Sequence, residues 1–139
     1  MKNTFGNAIT VTLFGESHGP AIGAVIDGIA PGIEIDKEYI DNRMNQRRAY
    51  GKISTPRHEA DEVEFLSGVF NGYTTGTPLC LLIRNMNTKS KDYDNLSRVA
   101  RPSHADLTAY YKYNGFEDFR GGGHFSGRIT AALVAAGAI

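Results

Sequence analysis

The chain has 139 residues, 41% of them hydrophobic, and its fifteen basic residues balance fifteen acidic ones for no formal net charge. That size supports one domain with its own core, and the composition excludes wholesale disorder. A neutral chain lacks the electrostatic drive of a nucleic-acid-coating or polybasic membrane-surface protein, so neither nucleic acid nor membrane is an expected partner.

The first residues, Met1-Lys2-Asn3-Thr4-Phe5-Gly6-Asn7, hold no apolar leader, and no uncharged stretch approaches bilayer-spanning length. The expectation is a soluble cytoplasmic protein. Residues 8–14 alternate Ile9, Val11 and Leu13 with Thr10, Thr12 and Phe14, the period of a strand with one buried face. A second apolar run, residues 21–27, lies between Gly19-Pro20 and Gly28, and Pro31-Gly32 reads as a turn. Asp36 is placed to cap a helix reaching about Arg47, with Ile35 stapled onto Ile40 and Met44 continuing the apolar stripe. Residues 63–70 and 77–84 read as strands joined around Asn71-Gly72, a strong hairpin signal. Cys80, inside Leu79-Cys80-Leu81-Leu82-Ile83, reads as a buried structural thiol.

Residues 85–103 are polar and without period, a long loop of the kind that carries function. Residues 105–113 form a short helix candidate stopped by Gly115, and residues 126–139 a second. Strands and helices do not alternate strictly, so the expected class is α+β with a largely antiparallel sheet. The chain stops at Gly137-Ala138-Ile139, inside an apolar helical pattern without a C-cap, which points to the N-terminal part of a longer protein.

Four segments bear chemistry. Arg120-Gly121-Gly122-Gly123-His124-Phe125-Ser126-Gly127-Arg128 puts three consecutive glycines before a helix start. Glycines let backbone N–H groups converge, and a helix N-terminus adds its own, so the junction suits a phosphate; a plain turn before a helix capped by Ser126 stands equally. Gly15-Glu16-Ser17-His18-Gly19 matches the nucleophile-elbow pattern, but Pro20 and a strand follow where that pattern needs a helix. What remains is a Ser-His pair at a strand end, beside the alternative of a hydrogen-bonded turn histidine. Arg43, Arg47, Arg48, Lys52 and Arg57 cluster on and after one helix, either a clamp for a polyanionic small molecule or a solvated face. Ser103 reads as an N-cap in Arg101-Pro102-Ser103-His104-Ala105-Asp106. That puts His104 in a first turn, either as an acid or base for chemistry or as a surface histidine beside a cap.

Taken together these segments resemble chorismate synthase. The resemblance rests on Val11-Thr12-Leu13-Phe14-Gly15-Glu16-Ser17-His18-Gly19, on Asp61-Glu62-Val63-Glu64-Phe65-Leu66-Ser67-Gly68-Val69-Phe70 and on Thr74-Thr75-Gly76-Thr77-Pro78. Arg101-Pro102-Ser103-His104-Ala105-Asp106 and the glycine run through Arg128 complete it, in family order over residues 4–139. The resemblance implies anti 1,4-elimination of phosphate and a ring proton from 5-enolpyruvylshikimate-3-phosphate, giving chorismate, with reduced FMN as cofactor. NADPH enters if flavin reduction is intrinsic to the protein. It further implies a β-α-β sandwich and a homotetramer of full-length subunits. Residues 1–139 would be the N-terminal part of such a domain, the C-terminal part being absent and the fragment inactive alone.

By position, His18 is similar to the histidine that manages the proton on reduced flavin, and His104 to the acid that protonates the leaving phosphate. Ser17, Arg47, Arg48 and Arg128 would face substrate or NADP, and His124, Phe125 and Ser126 the flavin; no metal is implied. Gln46 stands where the family's first arginine of three is usual, Ala49-Tyr50 where Pro-Gly is, and His124-Phe125-Ser126-Gly127-Arg128 where Arg-Ser-Ser-Ala-Arg is commoner.

Overall fold

A computed structural model describes residues 2–48, 60–86 and 99–139. Ala49, Tyr50, Lys52, Arg57, His58 and most of the expected long loop lie outside the described residues.

Seven strands and three α-helices are described: β1 (Thr4–Gly6), β2 (Thr10–Gly15), β3 (Ala21–Asp27), α1 (Lys37–Arg47), β4 (Val63–Ser67), β5 (Val69–Phe70), β6 (Tyr73–Thr74), β7 (Leu79–Arg84), α2 (Asp106–Tyr113) and α3 (Thr130–Ala136). The five longer-range strands make one sheet in the order β1-β2-β3-β7-β4. Every pairing in it is antiparallel, as the α+β expectation holds.

Alternation decides which face is covered. Ile22, Ala24 and Ile26 on β3 and Leu79, Leu81 and Ile83 on β7 all point to one side and are essentially inaccessible. Helix α3 lies on that face and α1 packs on α3, so Met44 and Ile40 meet Ala131, Ala132 and Ala135 in one core. Small residues on α3 allow the close approach that a Leu-rich helix would not.

Asp36 caps α1 as expected, its side chain accepting from the Tyr39 N–H at 2.9 Å. Ile35 and Ile40, the expected staple, are both buried. Asn71 and Gly72 adopt positive φ, 51° and 83°, as a tight hairpin turn requires.

Three expectations change. The Asn71-Gly72 hairpin joins only β5 and β6, while the strands flanking it, β4 and β7, pair in the main sheet through a bulge between Phe65 and Ser67. Cys80 lies on the sheet face away from the helices and is half-buried, although burial still raises its thiol pKa. Ser103 does not cap α2: it sits at φ 64°, and the residue preceding the helix is Ala105, with no side-chain cap. His104 therefore lies in the turn before the helix.

Candidate active site

The strand β2 ends at Gly15 and β3 begins at Ala21, and the residues between form a tight turn closed by the Gly19 N–H donating to the Glu16 carbonyl at 3.0 Å. Ser17 and His18 occupy its two central positions. Both are buried, at 1% and 8% exposure. The strand β3 that follows removes the helix a nucleophile elbow needs.

The glycine run packs directly on this turn. Gly121, Gly122 and Gly123 all have positive φ, at 58°, 83° and 54°. A Cβ on Gly121 would lie 2.3 Å from His18 Cδ2 and 3.2 Å from Ser17 Oγ, and one on Gly123 would meet the Asp118 carbonyl at 2.0 Å. Glycine is thus required at both places for conformation and for space. Two hydrogen bonds lock the segments together: Ser17 N–H to the Gly123 carbonyl at 3.0 Å, and His124 Nδ1 to the Gly15 carbonyl at 2.8 Å. A carbonyl only accepts, so Nδ1 carries the proton. Ser126 caps the turn Gly127–Ile129 that leads into α3, accepting from the Arg128 N–H at 3.3 Å. Asp118 pairs with Arg120 through two contacts of 2.7 and 2.8 Å, which pulls its carboxyl below the usual range, with the nearby His18 adding to the effect.

On the other side of the glycines stands His104. The Arg101 guanidinium grips Asp106 with two bonds of 2.8 and 2.9 Å, and its backbone N–H adds a third at 3.0 Å. This clasp closes the segment on itself and exposes His104 at its tip. Bonding to Arg101 lowers the Asp106 pKa to about 2, so the carboxylate stays charged at neutral pH. His104, Arg101, Gly121, Gly122, Phe125 and Ser126 line a cleft of about 160 Å³. The glycine turn therefore lies between the two histidines, His18 packed against one side and His104 across the cleft on the other.

Behind the Ser17-His18 turn is a cationic cluster. Arg47, at the end of α1, donates to Asp61 Oδ2 at 2.9 Å, and Arg128 donates to Asp61 Oδ1. Asp61 is buried, and two guanidinium groups share its carboxylate. Burial lowers the Arg47 pKa against the pull of Asp61, and the Arg128 charge lowers it further. Arg128 Nε also donates to Asn85 Oδ1 at 3.0 Å, while Asn85 Nδ2 donates to the Glu16 and Gly19 carbonyls at 3.0 and 2.8 Å.

The sequence-derived residues are thus brought together unevenly. Ser17, His18, Arg47 and Arg128 form one connected group. Arg48 diverges from it, exposed and donating to the Ala60 carbonyl. His124 and Phe125 line a larger cleft of about 540 Å³ with Phe14, Tyr113 and Phe116, whereas Ser126 faces the smaller one. Asp61 and Asn85 organise the cluster and escaped sequence reasoning. The one available signal was that each is a polar residue flanking an apolar strand.

The chain is similar to the curated chorismate synthase of Aeropyrum pernix, with 52% identity over 99% of this chain and 36% of that protein. It is similar also to that of Cupriavidus pinatubonensis, 54% identical over 99% of this chain and 37% of that protein. The fold is similar to a crystal structure of chorismate synthase, with a TM-score of 0.62 and 33% identity, covering 94% of this chain and 32% of that one. The chain spans somewhat over a third of the length of these curated relatives. A family model described as Chorismate synthase matches residues 9–139, and the chain belongs to that family.

Proposed function

We propose that these residues form part of a chorismate synthase active site, which eliminates phosphate and a ring proton from 5-enolpyruvylshikimate-3-phosphate. The observation carrying this reading is the glycine turn flanked by His18 and His104, with Arg47 and Arg128 clustered on Asp61 behind it.

The substrate carries a phosphate and two carboxylates, and guanidinium forks suit both. By their positions in the family's motif, Arg47, Arg128 and Ser17 would orient it, and Arg48 would join them only by turning back from the Ala60 carbonyl. His104, exposed on the rim of the smaller cleft, donates a proton to the departing phosphate, which then leaves as the hydrogen-phosphate dianion instead of the far poorer trianionic leaving group. By its position in the family's motif, His18 would manage the proton on reduced flavin, from its buried place against Gly121. The larger cleft, of about 540 Å³, would take the flat heteroaromatic ring of a flavin against Phe14, Tyr113, Phe116 and Phe125, while Glu16, Glu117 and Asp118 in the same lining leave the flavin's phosphate to be held outside it. His124 and Phe125 would hold that ring and Ser126 its neighbouring groups. Reduced FMN supplies an electron-rich ring to a reaction without net redox change. NADPH is needed only where the same protein also reduces its flavin.

The described residues contain no helix long and apolar enough to cross a membrane. From the family reading alone we propose the cytoplasm as the site of action and a homotetramer of full-length subunits as the working form. We take residues 1–139 as the N-terminal part of the catalytic unit, the relatives' remaining length supplying the rest.

The test uses the family-length protein with reduced FMN under anaerobic conditions. His18→Ala and His104→Ala should each lower turnover by about 10²-fold or more, the usual scale for a positioned acid or base. Near-normal turnover in either variant removes that residue from its role.

A further inference from the structure

We propose that Asn85 is a positioning residue that makes the Ser17-His18 turn and the Arg128 guanidinium a single mechanical unit. The inference rests on the reading of His18 and Arg128 given above and names what fixes their relative placement.

Asn85 follows β7 directly, and its backbone N–H donates to the Pro20 carbonyl at 3.1 Å, so its own main chain is anchored where β3 and β7 pair. The side chain then reaches two ways. Nδ2 donates to the carbonyls of Glu16 and Gly19, the two ends of the turn that carries Ser17 and His18. Oδ1 accepts from Arg128 Nε, and Arg128 Nη2 adds a longer contact of 3.5 Å to the Arg84 carbonyl next door.

The orientation of the amide is fixed by its partners. Reversal would set its oxygen against two carbonyl oxygens and its NH₂ against a guanidinium, losing all three bonds. Only a side chain with a two-proton donor and an acceptor on one short stem satisfies this arrangement. Aspartate has the stem but not the donor, and alanine has neither. Glu16 and Gly19 are held by a rigid strand end rather than by the loop alone, which is how a turn keeps an imidazole at a set distance from a cationic group.

The two halves of the amide separate in experiment. In the family-length protein, Asn85→Asp keeps an acceptor for Arg128 but turns an oxygen toward the Glu16 and Gly19 carbonyls. The expected result is a kcat lower by about ten- to a hundredfold, the scale of the two hydrogen bonds lost, with KM for the phosphorylated substrate near wild type. Hydrogen exchange should quicken in the peptide spanning residues 15–20 and not elsewhere in the sheet. Asn85→Ala should show the same changes and a raised KM, because Arg128 loses its acceptor too. Unchanged kcat and unchanged exchange in Asn85→Asp would overturn the proposal. So would exchange quickened across the whole sheet with a matching fall in thermal stability, since that is loss of fold and not of positioning. If His18→Ala turns over normally, the catalytic reading fails on its own, and localised exchange at residues 15–20 still decides the role of Asn85.

Discussion

Replacing Gly121 by alanine tests the contact on which the site is built. Two separate costs follow from the geometry. At φ 58° an L-residue occupies the left-handed region, which costs about 1–2 kcal/mol. The new methyl would also stand 2.3 Å from His18 Cδ2 and 2.6 Å from Nε2, and forcing a group into a packed site costs about 1–3 kcal/mol. Together they predict a loss of about 2–5 kcal/mol, a large share of the roughly 5–15 kcal/mol that holds a typical protein folded. Gly72 provides the control for the first cost alone: its φ is 83° and nothing lies within 4 Å of a Cβ there. Gly127 controls for both, having open space and no left-handed backbone. Urea unfolding of the three alanine variants in the family-length protein should rank Gly121 below Gly72 and Gly72 below Gly127. If the His18 ring instead rotates away to admit the methyl, part of the stability returns and turnover falls in its place. Equal stability of the Gly121 and Gly72 variants with turnover intact would refute the contact.

Arg47→Ala should weaken binding of the phosphorylated substrate more than binding of FMN, by roughly 1.5–3 kcal/mol, the value of a charge-assisted hydrogen bond. Arg48→Ala should act in the same direction; titrations with unchanged substrate affinity in both variants would return this segment to a solvated helix end. The Arg101–Asp106 clasp sets an acid dependence. Because the folded pKa of about 2 lies below the ordinary 3.8, its stabilisation is whole above that ordinary value and fades as pH falls from 3.8 toward 2. The stability gap between wild type and Asp106→Asn, followed by urea unfolding, should therefore close over that range; a gap independent of pH would exclude the ion pair as its source. The 139-residue chain by itself should make no chorismate and should self-associate in the ultracentrifuge, since Leu133 on α3 and Phe70, Phe116 and Tyr111 elsewhere are exposed. A stable monomer that turns over substrate would contradict this.

Local signals were readable from the residues alone. Asp36 and Ser126 are caps because a cap depends on a side chain and an N–H two or three residues on. The strand β2 carries its period of two in full view, and β3 and β7 stand out as short apolar runs bounded by turn residues. Ser103 misled for an instructive reason: its sequence is that of a cap, but the Arg101–Asp106 clasp bends the backbone through φ 64° and moves the helix start beyond it. Asp61 and Asn85 showed in the sequence only as polar residues flanking apolar strands, because their roles exist only after distant strands pair. Nothing near residue 61 in sequence hints at Arg128, and nothing near residue 85 hints at the carbonyls of Glu16 and Gly19.

The strand order carries a kinetic consequence. The middle of the sheet is the β3–β7 ladder, whose two strands are separated in the chain by α1 and by β4 through β6. Closing so long a loop loses chain entropy before any ladder bond repays it, so this pairing belongs among the slow events of folding. The Arg128 guanidinium, the Asn85 amide and the Glu16–Gly19 turn converge only at the end of that ladder. A nascent chain therefore holds no partial version of the site: the groups that would bind an anion stay scattered until the sheet zips shut, and then they arrive at once.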